Sequence, residues 1–463
     1  MKIALVRNHD ACINSRQIRM MQKRAGVLPH LGLAYIEANL LKRGFEAITI
    51  DAQAEYLDRG QLLARLREYG PDLVGVTTTT PGMPGAVEAC EVAKEAGAIV
   101  ILGGPHAEVF DVENLYHQCI DYVGVGEGAT IMPELAEALR DGRPVNEIRG
   151  LIGRDFKNPA APMLNLEDMG WPSRASVPIE NYFSIMAKRP FATMISSRGC
   201  PFQCSFCFKQ AVDRKSIYRS AEDVVGEMEH LVRDYGIREI MFYDDVFTMK
   251  RKRVVEICAL IRSRGLKVRW EAPTRVDLVD DELMRDMASA GCIRLRFGIE
   301  SGDPLILADM QKKTSLDEIT RAVRSAKRAG IETFGYFIVG WLGESWEQYS
   351  RTVDFACSLP LDYASFYTAT PLPGTKLHRQ AVAAGKIDPD YWLNYVRGDV
   401  ANRIGVLADK AEERSRLAYK SFYLRPKKVP ILARHLMRPE TFSTVASGLA
   451  GLLRSDTNAV RDM

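Results

Sequence analysis

The chain has 463 residues, of which 62 are basic and 59 acidic, so its formal net charge is +3. This length is sufficient for two or three domains, each with its own buried core. Because the charges nearly balance, the composition provides no broad electrostatic field for nucleic acid or an anionic membrane surface. We therefore expect a small-molecule substrate, held by local features, and no nucleic-acid partner.

The chain contains no apolar run near the roughly 20 residues that a membrane-spanning helix needs. Its first residues, MKIALVRNHD, predict a buried strand rather than a signal peptide. We therefore expect a cytoplasmic protein that does not associate with membranes.

Residues 1–150 alternate short β-rich runs with helix-period segments, which predicts a Rossmann-like, doubly wound parallel sheet. The predicted strands lie at 2–6, 45–51, 73–80, 98–104 and 122–126, with a helix at 31–43. In such sheets, ligands bind beyond the carboxyl ends of the strands. The segments 77–82, 103–106 and 126–130 are therefore expected to line one crevice.

An irregular, proline-bearing linker is predicted over 151–184. Residues 185–400 then repeat strand and helix, with strands predicted at 191–197, 238–245, 267–277, 293–302, 332–341 and 363–373. This pattern predicts a partial (β/α)6 barrel that is open on one side. Residues 401–463 form a helical carboxyl-terminal region, in which 429–453 is either a cap on the barrel or a membrane-surface helix.

Three cysteines, Cys200, Cys204 and Cys207, follow the first predicted barrel strand in the segment RGCPFQCSFCFKQ. Three thiolates in one loop can converge on one metal centre, whereas a structural zinc site normally needs a fourth Cys or His nearby. A [4Fe–4S] cluster held by three cysteines leaves one iron open. A zinc site and coincidental core cysteines remain as alternatives. The other six are expected to be inert core residues: Cys12, Cys90, Cys119, Cys258, Cys292 and Cys357.

This loop resembles the signature of the radical S-adenosylmethionine superfamily, in which the methionyl amine and carboxylate chelate the open iron. The resemblance implies that Phe206 lies against adenine. Tyr243, Asp244 and Asp245 match the motif that receives the methionyl ammonium, although a strand-end helix cap is the alternative.

Four further groups of residues match positions of the same superfamily. Arg275 and the Glu300-Ser301 pair end successive strands, where the resemblance implies contacts to the cofactor carboxylate and ribose, the alternative being solvated side chains. Val339, and Pro371 with Leu372, match segments that present backbone atoms to adenine.

The amino-terminal segments 28–51, 73–82, 100–108 and 123–129 resemble, in order, those of a subfamily whose first domain binds cobalamin. The resemblance implies a corrin site whose small strand-end residues let a flat macrocycle approach the backbone. The implied binding residues are Thr77, Thr78, Thr79, Gly103, Gly104, Gly126 and Glu127. The Asp-x-His-x-x-Gly element is absent from the sequence, so no axial histidine is expected from it, and His106 is expected to be a loop residue. A scaffold domain that has lost its corrin is the alternative.

The resemblance implies reductive cleavage of S-adenosylmethionine to a 5′-deoxyadenosyl radical, which abstracts hydrogen from a natural-product-like substrate. With cobalamin, the favoured outcome is methylation of an unreactive carbon, and the electron comes from a reductase or a flavodoxin- or ferredoxin-type donor.

Two alternatives to methyl transfer remain open at this point. One is cobalamin-independent radical dehydration, epimerisation or rearrangement of a sugar-like substrate, with Tyr218 as a hydrogen donor unless it is a packing residue. The other is a non-catalytic cluster protein that senses redox state.

Overall fold

The computed structural model describes residues 1–8, 26–208, 215–400 and 407–454. Its backbone forms two α/β units, each built on a six-stranded sheet, followed by a helical region. This arrangement confirms the predicted fold class.

The amino-terminal unit alternates strands and helices as its hydrophobic periodicity predicts. Its elements are β1 (Lys2–Arg7), β2 (Gly26–Val27), α1 (Leu31–Lys42), β3 (Glu46–Asp51), α2 (Arg59–Tyr69), β4 (Leu73–Thr77), α3 (Met83–Glu95), β5 (Ile99–Gly103), β6 (Tyr122–Gly124), α4 (Gly128–Asp141) and β7 (Leu151–Ile152). The strand order is β3-β1-β4-β5-β6-β7, and β7 alone runs antiparallel to its neighbour within this sheet. The strands β4 and β6 end earlier than predicted, so that the residues after them are free to form a crevice.

The segment predicted as a linker is tied to the amino-terminal unit. It begins with β7, and Ala161 forms an isolated bridge with Gly126. At its far end β8 (Phe183–Ser184) pairs with β2. These pairings hold both ends of the segment against the amino-terminal unit.

The second unit supplies the barrel. Its elements are β9 (Phe191–Met194), β10 (Ser197–Arg198), β11 (Ile217–Tyr218), α5 (Ala221–Tyr235), β12 (Glu239–Phe242), α6 (Arg251–Ser263), β13 (Arg269–Thr274), α7 (Asp281–Ser289), β14 (Cys292–Glu300), α8 (Pro304–Asp309), α9 (Leu316–Arg328), β15 (Glu332–Val339), α10 (Trp346–Ser358), β16 (Tyr363–Thr368) and α11 (Lys376–Ala383). Six parallel strands run in the order β16-β15-β14-β13-β12-β9. The edges β9 and β16 leave the barrel open, as predicted.

Side chains alternate across the barrel strands, which separates an apolar outer face from a charged inner one. The outward residues pack against the surrounding helices, and they include Phe242, Trp270, Phe297 and Phe337. The inward residues include an ion-paired group on neighbouring strands, formed by Glu271, Arg294 and Arg296. The interior of this barrel is therefore polar enough to hold a charged ligand or water.

The two units share a core, because Trp341 and Trp392 pack in the same apolar cluster as Met83 of α3. The phenol of Tyr182 also donates to Asp51 Oδ2 at 3.1 Å. These contacts fix the carboxyl ends of the two sheets relative to each other.

The carboxyl-terminal region consists of α12 (Tyr391–Arg397), α13 (Ala411–Tyr423), α14 (Val429–Leu436) and α15 (Pro439–Arg454). It packs on the barrel: the Tyr423 hydroxyl donates to the Ala364 carbonyl at 2.8 Å, and His435 Nε2 lies 3.2 Å from the Tyr363 hydroxyl. In the described part of the chain, none of the helices combines the length and apolarity needed to traverse a bilayer. The cap is therefore the arrangement that the structure supports for residues 429–436.

The scattered cysteines contribute to packing. Cys90, Cys258 and Cys292 are buried in apolar clusters, and Cys119 and Cys357 are half-buried. Cys12 lies outside the described residues.

Candidate functional site: a cysteine loop facing a glycine-lined cavity

The cysteine loop begins directly after β10 and is anchored by backbone contacts to the barrel. The Gly199 N–H donates to Asp245 Oδ2 at 2.7 Å, and Gly199 has a φ of +92° that favours glycine. Ser205 donates its N–H to the Met310 carbonyl at 2.9 Å and accepts from the Leu377 N–H at 2.8 Å. Three distant segments thus hold the loop at the carboxyl end of the strands.

The three thiols suit a cluster better than a single ion. Cys200 is buried, Cys204 and Cys207 are half-buried, and none of the three forms a disulfide. Among the described residues, no three His, Cys, Asp or Glu side chains converge closely enough to hold one metal ion. In a [4Fe–4S] cluster each cysteine binds a different iron, so the thiolates need not converge on one point. The set of three cysteine thiols therefore fits the cluster.

Two buried cations lie close to the cysteine loop. Burial raises the pKa of the Cys204 thiol, and the charges of Lys312 and Arg275 oppose that shift. Positive charge beside a thiolate stabilises the deprotonated form that binds iron. The two cations therefore offset part of the effect of burial, which disfavours the Cys204 thiolate.

Arg275 and Glu300 are both buried, so the alternative of solvated side chains is wrong for them. The Arg275 guanidinium lies 3.7 Å from the centre of the Phe202 ring and pairs with Asp277 at 2.9 Å. Glu300 has a φ of +71° and pairs with Lys312 Nζ at 2.8 Å. Strain of this kind in a buried carboxylate is typical of functional sites.

Lys312 is a residue that sequence reasoning missed. It lies in the segment QKKT, where neighbouring lysines look like a solvated surface turn. Both Gln311 and Lys313 adopt positive φ values, a turn geometry that directs Lys312 inward. No signal in the sequence marks this turn, because neither residue is a glycine.

The acidic motif after β12 holds the strand end rather than presenting an open carboxylate. Asp244 Oδ1 accepts the Ser196 N–H at 2.7 Å, and Oδ2 accepts the hydroxyls of Ser196 at 2.6 Å and Ser197 at 2.5 Å. Burial raises the pKa of Asp244, while Arg253 opposes the shift. Asp244 caps neither of the helical segments that follow, so the capping alternative is wrong for it. The ammonium contact stays a prediction for Tyr243 and Asp245.

Phe206 packs edge-to-face on Trp341, with ring centres 6.2 Å apart, and so lies on the loop as predicted. Tyr218 lies beside the start of the loop, because β11 pairs with β10 and sets Tyr218 opposite Ser197, and Lys250 Nζ is 4.0 Å from its ring centre. This cation–π contact gives Tyr218 a packing role that the structure supports directly.

The remaining predicted adenosine-side residues are engaged within the protein. The Ser301 hydroxyl lies 2.9 Å from Thr352 Oγ1, and the Val339 side chain is buried in the outer core. The Pro371 carbonyl accepts the Trp392 indole N–H at 2.8 Å, and the Leu372 carbonyl accepts the Thr375 hydroxyl at 2.6 Å. These contacts leave each residue fewer groups to offer a ligand.

A cavity of about 450 Å³ opens at the carboxyl ends of the amino-terminal strands. All seven residues predicted to bind the corrin line this one cavity: Thr77, Thr78, Thr79, Gly103, Gly104, Gly126 and Glu127. The cavity also reaches Ile195 and Arg198 of the second unit. It therefore lies between the amino-terminal sheet and the cysteine loop.

Glycines give this cavity its shape. A Cβ on Gly104, whose φ is +94°, would lie 2.6 Å from the Thr78 carbonyl oxygen, and a Cβ on Gly75 would lie 3.1 Å from both Leu5 and Met132. The deeper wall is apolar, formed by Leu5, Ile101, Ile131 and Met132. A cradle of glycine and threonine with an apolar interior fits a flat macrocycle with a polar rim.

The histidines near the cavity are poorly placed to be metal ligands. The two ring nitrogens of buried His106 lie 3.1 Å from Thr80 Oγ1 and 2.9 Å from Asn114 Oδ1, and burial lowers its pKa to about 4. His30, which sequence reasoning missed, lines the cavity, but its Nδ1 accepts the Leu33 N–H. The expectation that His106 is a packed loop residue agrees with this geometry.

One ion pair joins the cavity to the cysteine loop. Arg198, two residues before Cys200, contacts Glu127 with an Nη1 to Oε2 distance of 2.7 Å. The Glu127 side chain is 7% exposed and also caps α4, whereas Arg198 is 29% exposed. Arg198 was missed in the sequence, although its place inside the RGC segment is a signal that could have drawn attention to it.

Comparisons with known proteins match both units. Residues 194–356 match the model of the radical SAM superfamily, and residues 20–136 match that of the B12 binding domain. An uncharacterised methyltransferase of Pyrococcus horikoshii is 34% identical over 92% of this chain and 94% of its own length.

Two further matches extend these findings. The anaerobic magnesium-protoporphyrin IX monomethyl ester cyclase of Cereibacter sphaeroides is 32% identical over 77% of this chain and 61% of its own length. A structure of the radical S-adenosylmethionine methyltransferase TsrM from Kitasatospora setae, with cobalamin and a [4Fe-4S] cluster bound, superposes with a TM-score of 0.73 at 21% identity, covering 92% of this chain and 89% of that one. At this identity the likeness concerns the fold.

Proposed function

Because the chain belongs to the cobalamin-dependent radical S-adenosylmethionine methyltransferases, we propose that it methylates an unreactive carbon of a small-molecule substrate held between its two units. The observation that carries the proposal is the cavity that contacts both the glycine turns and Arg198, next to the cysteine loop. Radical methylation needs the methyl donor and the site of hydrogen abstraction side by side.

When bound, the reduced cluster supplies the electron that cleaves S-adenosylmethionine, and cobalamin supplies the methyl group. The protein's own residues hold and shield these groups. Cys200, Cys204 and Cys207 bind the cluster. Lys312 and Arg275 compensate its negative charge, and Glu300 faces the same loop.

The barrel mouth offers a surface for the substrate. Tyr336 and Tyr367 lie on neighbouring strands with ring centres 6.2 Å apart, and the Arg296 guanidinium lies 5.1 Å from the Tyr243 ring centre. Tyr243 is 39% exposed and Tyr367 56% exposed, which is unusual for large aromatic side chains on the inner face of a barrel. Ring faces beside a guanidinium suit a compact substrate with apolar and hydrogen-bonding parts.

The electron must come from outside the chain. A flavodoxin- or ferredoxin-type donor, or a reductase, is proposed because the half-buried Cys204 and Cys207 bring the cluster site close to the surface. A reducing compartment is required for such a site, and the cysteines in the described part of the chain form no disulfide. We therefore place the enzyme in the cytoplasm.

The experiment is anaerobic reconstitution with iron, sulfide and hydroxocobalamin, followed by incubation with a reductant, methyl-deuterated S-adenosylmethionine and a panel of small molecules. We expect 5′-deoxyadenosine, S-adenosylhomocysteine and one compound that has gained the labelled methyl group. Omitting cobalamin should remove the labelled product. A transformed compound without the label would overturn methylation in favour of radical dehydration or rearrangement, and the absence of 5′-deoxyadenosine from cluster-loaded protein would overturn radical chemistry altogether.

A further inference from the structure

A second cavity, of about 330 Å³, lies at the opposite end of the barrel from the cysteine loop. Its walls come from the amino-terminal ends of the barrel strands and from the carboxyl-terminal helices. Five of its side chains are cationic: Lys188, Arg269, Arg294, Arg434 and Arg438. At about 30 Å³ per water molecule, this volume holds roughly ten waters, which is far more than a gap between packed side chains.

Nearby carboxylates neutralise only part of this charge. Glu332 pairs with Arg294 at 2.7 Å and with Arg434 at 3.1 Å. Glu271 also pairs with Arg294, and Glu239 lies 3.5 Å from Arg269. Of these three carboxylates only Glu332 lines the cavity, and Glu271 is shared with Arg296. Within the part of the chain that the structure describes, the exposed Lys188 and the half-buried Arg438 form no ion pair.

Two buried polar atoms at this cavity also lack hydrogen bonds. Arg294 is 3% exposed and His435 is 6% exposed, yet Arg294 Nε and His435 Nδ1 have no partner among the described residues. His435 Nε2 lies 3.2 Å from the Tyr363 hydroxyl, so a neutral ring that accepts from Tyr363 carries its proton on Nδ1. Leaving a buried donor unsatisfied has a free-energy cost. A ligand that accepts hydrogen bonds would remove this cost.

We propose that this cavity is an oxyanion site that takes a phosphate dianion, either inorganic phosphate or the phosphate group of a small metabolite. Phosphate matches the two unpaired positive charges, and its oxygens accept hydrogen bonds from several donors at once. Arg438 and His435 belong to the carboxyl-terminal region, whereas Lys188 and Arg294 belong to the barrel. A bound phosphate thus connects α14 to the amino-terminal ends of the barrel strands. This proposal does not depend on the proposed methylation.

The test uses the full-length, reconstituted enzyme and calorimetric titration with inorganic phosphate at constant ionic strength. In a second arm, ribose 5-phosphate replaces phosphate, to separate a free anion from a phosphorylated metabolite. We expect saturable binding to the wild type and at least about tenfold weaker binding to the Lys188→Gln/Arg438→Gln variant, because two charge-assisted hydrogen bonds are lost. These two residues form no ion pair in the described structure, so their replacement leaves the ion pairs of Glu332, Glu271 and Glu239 intact.

The matched control is Arg65→Gln/Arg67→Gln, which removes two exposed arginines from α2. It should bind phosphate like the wild type. In thermal unfolding, phosphate should raise the melting temperature of the wild type and the control, but not that of the Lys188/Arg438 variant. Equal binding by that variant, absence of saturable binding by the wild type, or equal competition by the monoanion nitrate would each overturn the proposal.

Discussion

The two cofactor regions are built by opposite means. Around the cysteine loop, buried ionic groups dominate, among them the Lys312–Glu300 pair and the Asp244 carboxylate with its three hydrogen bonds. The amino-terminal cavity instead owes its shape to missing side chains, at Gly75, Gly103 and Gly104. A site of the first kind fails when one ligand is removed, whereas a site of the second kind fails when one side chain is added. Each difference can be tested by a substitution that spares the other region.

The largest expected effect is on the cysteine loop. Cys204→Ser removes one of three thiolates, so we expect loss of cluster iron and sulfide and a fall of 5′-deoxyadenosine formation to background. Corrin binding, which depends on the other region, should persist. Cys357→Ser, at a half-buried cysteine on α10, is the control and should keep its cluster. Retained S-adenosylmethionine cleavage in Cys204→Ser would contradict the assignment of the loop.

The second experiment adds a side chain inside the amino-terminal cavity and leaves the cysteine loop unchanged. A Cβ on Gly103 would find no neighbour nearer than the Gly124 carbonyl oxygen at 3.8 Å, so the backbone tolerates a side chain there. Because Gly103 lines the cavity, Gly103→Leu should overfill it and cost about 1–3 kcal/mol of corrin affinity, or roughly five- to 150-fold. Gly103→Ala should have a much smaller effect.

Corrin absorbance after desalting measures this series, and iron content serves as the control for the other region. A Gly103→Leu protein that retains cobalamin as well as the wild type would show that the corrin binds elsewhere.

The amino-terminal unit is also expected to lose stability as the pH falls, because it contains two histidines with lowered pKa values. Burial lowers the pKa of His106 to about 4 from 6.5, and burial together with Arg7 lowers that of His30 to about 4. As the pH falls from 6.5 to 4, these two histidines become protonated in the unfolded chain before they do so in the folded unit. They therefore lower the stability of the unit across this window and add no further loss below it. A shift of this size corresponds to about 3 kcal/mol per histidine.

Thermal unfolding measured at several pH values, with corrin release as the readout for the amino-terminal unit, tests this response. His106→Gln should reduce the slope between pH 4 and 6.5 by about half, since His30 still titrates. An unchanged slope of stability against pH would show that the lowered pKa of His106 does not contribute to the loss of stability.

The smallest expected effect concerns the contact between the two regions. The Arg198–Glu127 pair is partly exposed, so its contribution to stability is about 1 kcal/mol or less. A double-mutant cycle of Arg198→Gln and Glu127→Gln should nevertheless give a non-zero coupling energy. Because the pair joins the cavity to the cysteine loop, both single variants should lower methyl transfer more than S-adenosylmethionine cleavage. Equal losses in the two reactions would indicate a general folding defect instead.

Much of the fold and of the candidate site can be predicted from short-range patterns in the sequence, without the tertiary structure. The spacing of Cys200, Cys204 and Cys207 is fixed by the covalent chain, and the periodicity of the sequence predicts the parallel strands of both sheets. Strand ends in parallel sheets meet at one edge, which is why Thr77, Gly103 and Gly126 could be expected to share a crevice and do line one cavity.

Tertiary structure decided which charged groups work together. Asp244 meets Ser196 and Ser197, Lys312 turns inward to Glu300, and Arg198 reaches Glu127 across 71 positions of sequence. These pairings depend on how strands and loops pack. The sequence alone does not distinguish a buried lysine or aspartate from a solvated one. The amino-acid sequence by itself therefore determined the chemistry and its approximate place, while the fold selected the partners that hold each charge in a medium where an unpaired charge is costly.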